Sequence, residues 1–213
     1  MYEFFLGGRP NNIDEEIKFL VSVKRLLPRW VNSIPDSEFI AIAMIVRDVS
    51  ENAARRGEKV CLVETGVGAS SLILVYYAIK HQGMAFTWDF NSKKGSEIRT
   101  ACAETIGMVF DDNINNFWRM IGYNSKSPYL GIGILSEWVD KVHFVMHDSE
   151  HVWENVRDEL DLANQFLNDG SVVALDDAYY SFLHTDMAYI NIVRKRFGLN
   201  PVVDISLRHN CLY

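Results

Sequence analysis

Short runs of β-forming apolar residues alternate with helical segments through the middle of this chain, and this alternation limits its fold more than any other feature. The predicted strands are Lys59–Glu64, Ala85–Asp89, Phe117–Gly122, Val142–Met146 and Ser171–Leu175. The main helices predicted between them are Ser70–His81, Ser96–Ile106 and Trp153–Leu167. Strands that alternate with helices in this way indicate βαβ units. We therefore predict a doubly wound, mostly parallel, Rossmann-like α/β sheet with helices on both faces.

Weaker signals complete the pattern towards the end of the chain. A short helix is predicted to end near Glu137, and Gly170 is predicted to end the helix before the fifth strand. A last helix over Thr185–Phe197 and a last strand over Val202–Leu207 follow.

Two helices are predicted before the first strand. The first covers Asn12–Leu27 and stops at Pro28, and the second runs from about Asp36 to a C-terminal signal at Gly57. We expect one compact domain overall, with a helical N-terminal extension at 1–58 and the main α/β unit at 59–213. The helical extension is a natural surface for homo-oligomer formation.

Charge and cysteine content exclude several classes of protein. A formal net charge of -7 and the lack of a basic stripe argue against binding to nucleic acid. Three cysteines without a C-x-x-C pair predict neither a structural zinc site nor a disulfide framework. No run approaches the roughly 18 apolar residues of a membrane span, and the N-terminus lacks the pattern of a signal peptide. We expect a cytoplasmic protein that binds neither nucleic acid nor membranes.

The first strand ends in a glycine turn, Glu64-Thr65-Gly66-Val67-Gly68-Ala69-Ser70-Ser71. In open parallel sheets, ligands bind at the carboxyl ends of the strands, and glycines let a ligand approach the backbone there. Ser71 replaces the third glycine of the dinucleotide-binding pattern. The acid Glu64 suits a cationic sulfonium cofactor better than a diphosphate. A turn with no ligand is the alternative.

The second strand ends in Asp89, 25 positions after Glu64. This is close to the spacing at which an acid accepts hydrogen bonds from ribose hydroxyls. An aspartate at a strand end is also common as a helix cap. Following the glycine turn at this interval, Asp89 is predicted to bind ribose.

Carboxylates also follow the fourth and fifth strands, which end in Asp148 and in Asp176-Asp177. Three acids at neighbouring positions repel one another unless a cation lies between them. A set of oxygen ligands without cysteine favours Mg²⁺, with Mn²⁺ or Ca²⁺ as alternatives. His147 and His151 leave a zinc or iron site open, and two helix caps are the alternative without a metal.

Val142 to Tyr180 resembles the corresponding segment of small-molecule O-methyltransferases of the macrocin and novobiocin biosynthesis type, which are class I S-adenosylmethionine-dependent methyltransferases. In that family an apolar strand ends in a D-G-D-H-like motif, and the strand after the next helix ends in D-D. This chain has His147-Asp148-Ser149-Glu150-His151 and then Asp176-Asp177. With the glycine turn and Asp89, the resemblance covers roughly residues 59–180.

The resemblance implies a set of cofactor and metal ligands. The amino acid end of S-adenosylmethionine is expected near Glu64, Gly66 and Gly68, its ribose is expected on Asp89, and Asp148 is also assigned to the cofactor. The turn residues assigned to the cofactor are Glu64, Gly66, Gly68 and Ser70. Mg²⁺ is expected on Asp148, Asp176 and Asp177. The 1–58 extension corresponds to a variable lid or dimer contact in such families.

The resemblance also implies catalytic residues. Asp148 is expected to act with Glu150 or His151, one of which takes the proton of a small-molecule hydroxyl. Ser149 stands where the family has glycine, Glu150 where it has aspartate, and His147 where a hydrophobic residue is usual.

Other functions remain open at this point. A nicotinamide-dependent oxidoreductase could use the same fold, although the third glycine and a Tyr-x-x-x-Lys pair are missing. A non-catalytic S-adenosylmethionine-binding protein is a second alternative, suggested by the altered His147–His151 motif. A related hydroxylase is a minor third.

Overall fold

Within the part of the chain that the structure describes, five strands form a central sheet, and each pairs in parallel with its neighbours. The structure is a computed structural model and describes residues 13–150, 152–176, 205–207 and 210–212. The strands are β1 (Cys61–Thr65), β2 (Met84–Asp89), β3 (Trp118–Gly122), β4 (Val142–His147) and β5 (Leu167–Leu175). Their order in the sheet is β3-β2-β1-β4-β5. The order reverses at β1, so the switch point of the sheet lies between β1 and β4.

Two helices precede β1, and helices or 3₁₀ turns connect the strands. They are α1 (Ile13–Lys24), α2 (Asp36–Arg55), α3 (Ala69–Lys80), α4 (Ser92–Cys102), the single turn α5 (Met108–Phe110) and α6 (Trp153–Ala163). A π-helical turn, Ala103–Gly107, joins α4 to α5, and 3₁₀ turns cover Ile114–Asn116, Pro128–Leu130, Ile132–Glu137 and Asn164–Phe166. A separate antiparallel pair, β6 (Ile205–Leu207) and β7 (Asn210–Leu212), follows.

Two hydrophobic cores lie on opposite faces of the sheet, because successive strand residues point to opposite sides. Leu62 of β1 belongs to the first core and Val63 to the second. Helices α1 to α4 bury apolar residues in the first core, and α6 with the 3₁₀ turn Ile132–Glu137 covers the second. The predicted doubly wound fold is therefore confirmed.

The N-terminal helices are part of the first core. Phe19 of α1 and Phe39 of α2 are fully buried in the same cluster as the residues of α3. No helix within the described residues is long and apolar enough to cross a membrane.

The prediction that Gly170 ends a helix is wrong. Helix α6 already ends at Ala163, and Gly170 lies inside β5 with a φ of +92°. Val142 of β4 pairs with Leu167, whereas Phe144 pairs with Val172, so β5 accommodates three extra residues between these pairs. Glycine adopts the positive φ at this irregularity without steric cost. The predicted helix Thr185–Phe197 lies outside the described residues.

Candidate functional site

A cavity of about 450 Å³ lies at the carboxyl edge of the sheet, near the switch point. Residues at or just after the ends of four neighbouring strands line it, together with Lys94 of α4. The lining residues are Gly66, Trp88, Asp89, Phe90, Lys94, Tyr123, Ser125, Lys126, Asp148, Ser149 and Glu150. Its volume is within the range of about 300–1,000 Å³ that is usual for small-molecule sites.

Gly66 joins the ends of β1 and β4 at the floor of this cavity. It has a φ of +94°, and a Cβ atom there would lie 1.8 Å from the carbonyl oxygen of Asp148. The Asp148 N–H donates to the carbonyl of Thr65 at 2.8 Å, which holds the two strand ends together. Only glycine fits this close approach. Gly68 differs, because a Cβ there would meet only the Lys94 Nζ and the Val31 carbonyl oxygen, each at 3.8 Å.

Glu64 is fully buried beneath the glycine turn. Ser70 and Thr87 each donate a hydroxyl hydrogen bond to its carboxylate at 2.7 Å, and Ser71 donates a third. Burial raises the pKa of Glu64 to about 7, against the lowering effect of these hydroxyls. The hydrogen bonds from Ser70, Ser71 and Thr87 to Glu64 join the start of α3 and strand β2 to β1. Binding of the cofactor by Glu64 and Ser70 stays a prediction.

Asp89 is the last residue of β2. It lines the cavity and is only 7% exposed. Its Oδ2 accepts the Val67 N–H at 2.7 Å, and its Oδ1 accepts the Asn91 N–H at 2.6 Å. Each carboxylate oxygen offers about two acceptor directions, so each retains capacity for a ligand hydroxyl. The backbone of the glycine turn thus fixes the Asp89 carboxylate, and binding of a ribose by Asp89 stays a prediction.

Asp148 and Asp176 lie at neighbouring strand ends, as predicted. They follow His147 and Leu175, which pair in the sheet, and the Asp176 N–H donates to the His147 carbonyl at 2.9 Å. Within the described residues, no group of three or more His, Cys, Asp or Glu side chains is arranged to hold a metal. Asp177 and His151 lie outside the described residues, so the complete predicted metal set and this candidate base are not tested.

Glu150 lines the cavity and is anchored by two donors. Ser125 Oγ donates to its Oε2 at 3.0 Å, and Asn155 Nδ2 donates to the same oxygen at 2.8 Å. Sequence reasoning did not identify Ser125. It follows β3, so the rule that ligands bind at strand ends could have suggested it.

Sequence reasoning also missed Glu159, a residue of α6 that lies behind the cavity wall. Its carboxylate accepts hydrogen bonds from Thr65 at 3.0 Å, from Tyr123 at 2.5 Å and from Ser149 at 2.8 Å. These three residues follow or end β1, β3 and β4. A helical residue with no neighbouring motif gives no sequence signal for such a role.

Phe90 is a further residue that was not predicted. It directly follows Asp89, lines the cavity and is 86% exposed. A large aromatic side chain so exposed at the mouth of a cavity offers a stacking surface for a ring of a ligand. Lys94 and Lys126 bring two positive charges to the same cavity.

The sequence profile described as "Methyltransferase domain" matches residues 63–178, more than half of the chain. A search of curated proteins finds no match.

Several solved structures share the fold. An O-methyltransferase from Bacillus cereus, in complex with S-adenosylhomocysteine, is 16% identical, with a TM-score of 0.53 over 89% of this chain and 78% of that one. CalS11, a TDP-rhamnose 3′-O-methyltransferase of calicheamicin biosynthesis, is 13% identical, with a TM-score of 0.56 over 89% and 88%. TomG from Streptomyces achromogenes, an O-methyltransferase in complex with S-adenosylmethionine, is 15% identical, with a TM-score of 0.53 over 91% and 81%.

Proposed function

This chain belongs to the methyltransferase family, and on that basis we propose that it is an S-adenosylmethionine-dependent O-methyltransferase that methylates a hydroxyl group of a small molecule, such as a sugar or other natural product. One observation carries the proposal: Gly66 of the glycine turn, Asp89 and Asp148 all line a single cavity at the carboxyl edge of the sheet. The ribose hydroxyls, the ammonium group and the sulfonium of S-adenosylmethionine require hydrogen-bond acceptors or negative charge at such neighbouring positions.

Each part of the methyl donor has a candidate site in this cavity. The amino acid end would lie beside the glycine turn, of which Gly66 lines the cavity, with Asp148 near its ammonium group. Asp89 would accept the ribose hydroxyls through the unused lone pairs of its carboxylate. Phe90 would stack on the base. When bound, the sulfonium supplies an electrophilic methyl group.

Residues of the chain would then orient and deprotonate the acceptor hydroxyl. Asp148 would orient the acceptor hydroxyl, and Glu150 or His151 would take its proton, so that the oxygen can attack the methyl carbon. Much of the rate enhancement would come from holding the two reactants in line. The sugar methyltransferase CalS11, which shares this fold, is consistent with an acceptor of the sugar type.

The proposal includes a divalent cation at the ends of β4 and β5. Asp148 and Asp176 follow two residues that pair in the sheet, and their oxygens are the ligands that Mg²⁺ prefers. Asp177 would be the third ligand. Bound there, Mg²⁺ would lower the pKa of the acceptor hydroxyl.

We also propose a cytoplasmic location and a homo-oligomer contact through the N-terminal helices. Leu26, Trp30 and Met44, on or just after α1 and α2, are between 44% and 48% exposed, which provides apolar surface for such a contact. Measurement of the molar mass in solution, before and after removal of these side chains, tests the contact.

Calorimetric titration with S-adenosylhomocysteine tests the proposed cofactor. We expect saturable binding by the wild-type protein and at least a tenfold loss of affinity in Asp89→Asn, since a hydrogen bond to a charged group contributes about 1.5–3 kcal/mol. NAD⁺ serves as the matched control ligand. Binding of NAD⁺ instead would favour the oxidoreductase alternative. Binding of S-adenosylmethionine without transfer to any of a panel of sugars and phenols would favour a non-catalytic binding protein.

A further inference from the structure

Glu159 organises one wall of the cavity from behind it. Its buried carboxylate accepts hydrogen bonds from Thr65, Tyr123 and Ser149, and His147 Nε2 lies 2.8 Å from it. Of these four partners, Tyr123 and Ser149 line the cavity, whereas Thr65 and His147 are buried at the ends of β1 and β4. Ser149 is the more exposed of the two cavity residues. Its hydroxyl is therefore the group of this network that a ligand can reach most easily.

The contact between Ser149 and Glu159 fixes the direction of the Ser149 hydroxyl. Ser149 Oγ lies 2.8 Å from Oε1 and 2.9 Å from Oε2 of Glu159. Burial favours the neutral acid, but the hydrogen bonds from His147, Tyr123 and Ser149 keep the pKa of Glu159 below its ordinary value. An ionised carboxylate only accepts hydrogen bonds, so the hydrogen in this contact comes from Ser149. The single hydrogen of the Ser149 hydroxyl is thus already used.

The oxygen of Ser149 keeps its two lone pairs. Among the described residues, the other hydrogen-bond contact of Ser149 Oγ is His147 Nε2, at 3.5 Å. His147 Nε2 is closer to Glu159, at 2.8 Å, and its hydrogen points to that carboxylate, which can only accept. Ser149 Oγ therefore offers the cavity a hydrogen-bond acceptor that carries no charge.

The position of Ser149 indicates which ligand group uses this acceptor. This step rests on the proposed function, in which Asp148 orients the hydroxyl that receives the methyl group. Ser149 directly follows Asp148 and lines the same cavity. We propose that Ser149 Oγ accepts a hydrogen bond from a second hydroxyl of the acceptor molecule, so that a vicinal diol is preferred to the corresponding mono-alcohol. Ser149 is then a specificity-determining residue, and Glu159 is a positioning residue that fixes its hydrogen.

Two substitutions of Ser149 separate its oxygen from its bulk. Ser149→Ala removes the acceptor oxygen, and Ser149→Thr keeps a hydroxyl that can still donate to Glu159. Ser96→Ala changes an exposed serine of α4 and is the matched control.

Calorimetric titration of the protein saturated with S-adenosylhomocysteine measures the effect. The ligands form two matched pairs, catechol with phenol and vicinal cyclohexanediol with cyclohexanol. We expect the wild-type protein to bind the diol of each pair about threefold to tenfold more tightly, as one additional neutral hydrogen bond provides. Ser149→Thr and Ser96→Ala should keep this preference.

Ser149→Ala should lose the preference through weaker binding of the diols alone. The affinities for phenol and cyclohexanol should not change, because a mono-alcohol does not use Ser149. A merely structural role of Ser149 would instead weaken the binding of all four compounds.

The contrary outcomes can be told apart. Equal affinities of the wild-type protein for diol and mono-alcohol in both pairs, or no measurable binding of either diol, would overturn the inference whether or not a variant folds. So would a Ser149→Ala protein that keeps the preference or loses all four affinities equally. A loss of affinity for S-adenosylhomocysteine in Ser149→Ala would assign the serine to the cofactor and also overturn it. Failure of the wild-type protein to bind S-adenosylhomocysteine would remove the proposed function itself.

Discussion

His147 Nε2 lies 2.8 Å from Oε2 of Glu159, and both side chains are 2% exposed. The carboxylate also receives the hydroxyls of Thr65, Tyr123 and Ser149. Two of the unusual residues of the motif after β4, His147 and Ser149, are therefore partners of one buried acid. Burial favours the neutral acid, but the hydrogen bond and charge of His147, with the bonds from Tyr123 and Ser149, keep the pKa of Glu159 below its ordinary value.

The first prediction concerns acid stability. A carboxyl group with a lowered pKa stabilises the fold above its unfolded pKa of about 4.5, and this contribution is lost as the pH falls through its folded pKa. Glu159→Gln should cost about 3 kcal/mol at pH 7, because it leaves the buried donors poorly paired. The difference from the wild-type protein should shrink below pH 4. Urea unfolding at several pH values measures it, with Glu154→Gln as the exposed control. A difference independent of pH would contradict the assignment.

The second prediction concerns Glu64, whose pKa is shifted in the opposite direction to that of Glu159. Burial raises the pKa of this carboxyl to about 7 from 4.5, so the neutral acid is favoured in the folded protein. The stability that Glu64 contributes is present below pH 4.5 and is lost as the pH rises through 7. Between pH 5 and pH 8, the wild-type protein should therefore lose stability relative to Glu64→Gln, by on the order of 3 kcal/mol.

Chemical unfolding of both proteins across that pH range checks the prediction. Glu104→Gln is a matched change of an exposed carboxylate. If the wild-type protein instead gained stability relative to Glu64→Gln as the pH rises, Glu64 would be ionised in the folded state across this pH range.

The third prediction concerns Gly66. Gly66→Ala should destabilise the fold by roughly 3 kcal/mol or more, since its Cβ would overlap the Asp148 carbonyl and its φ is positive. Gly57 is the matched control, because it also has a positive φ but nothing lies within 4 Å of a Cβ there. Gly57→Ala should cost only about 1–2 kcal/mol. Thermal and urea unfolding measure both variants. If Gly66→Ala and Gly57→Ala lost the same amount of stability, the close approach of Gly66 to Asp148 would contribute nothing to the difference.

The fourth prediction concerns the proposed cation. Mn²⁺, followed by electron paramagnetic resonance, should bind to the wild-type protein and lose at least tenfold affinity in Asp148→Asn and Asp177→Ala. Affinity for S-adenosylhomocysteine should be unchanged in Asp177→Ala, because this residue is assigned to the metal alone. Asp161→Asn changes an exposed acid on α6 and is the control. Unaltered Mn²⁺ binding in Asp177→Ala would exclude the aspartate site.

Most of the fold could be predicted because it depends on local patterns. Apolar runs such as Cys61–Thr65 are buried on both faces, which is the pattern of a parallel strand. The predicted methyltransferase family is also confirmed. Gly170 was misassigned because a glycine signals a break in regular structure without showing whether a helix ends or a strand bulges there.

The alternation of strands and helices, the glycine turn and the acids at the strand ends can be read from the sequence, because neighbouring residues specify each of them. The hydrogen bonds by which Glu159 joins Thr65, 94 positions away, to Tyr123 and Ser149 arise only when the chain packs into its tertiary structure. The tertiary structure also brings Glu150 within hydrogen-bond distance of Ser125 and buries Glu64 beneath the glycine turn. Such contacts depend on which strands become neighbours and which face each helix buries. Packing of the whole chain settles those choices, and no local pattern encodes them.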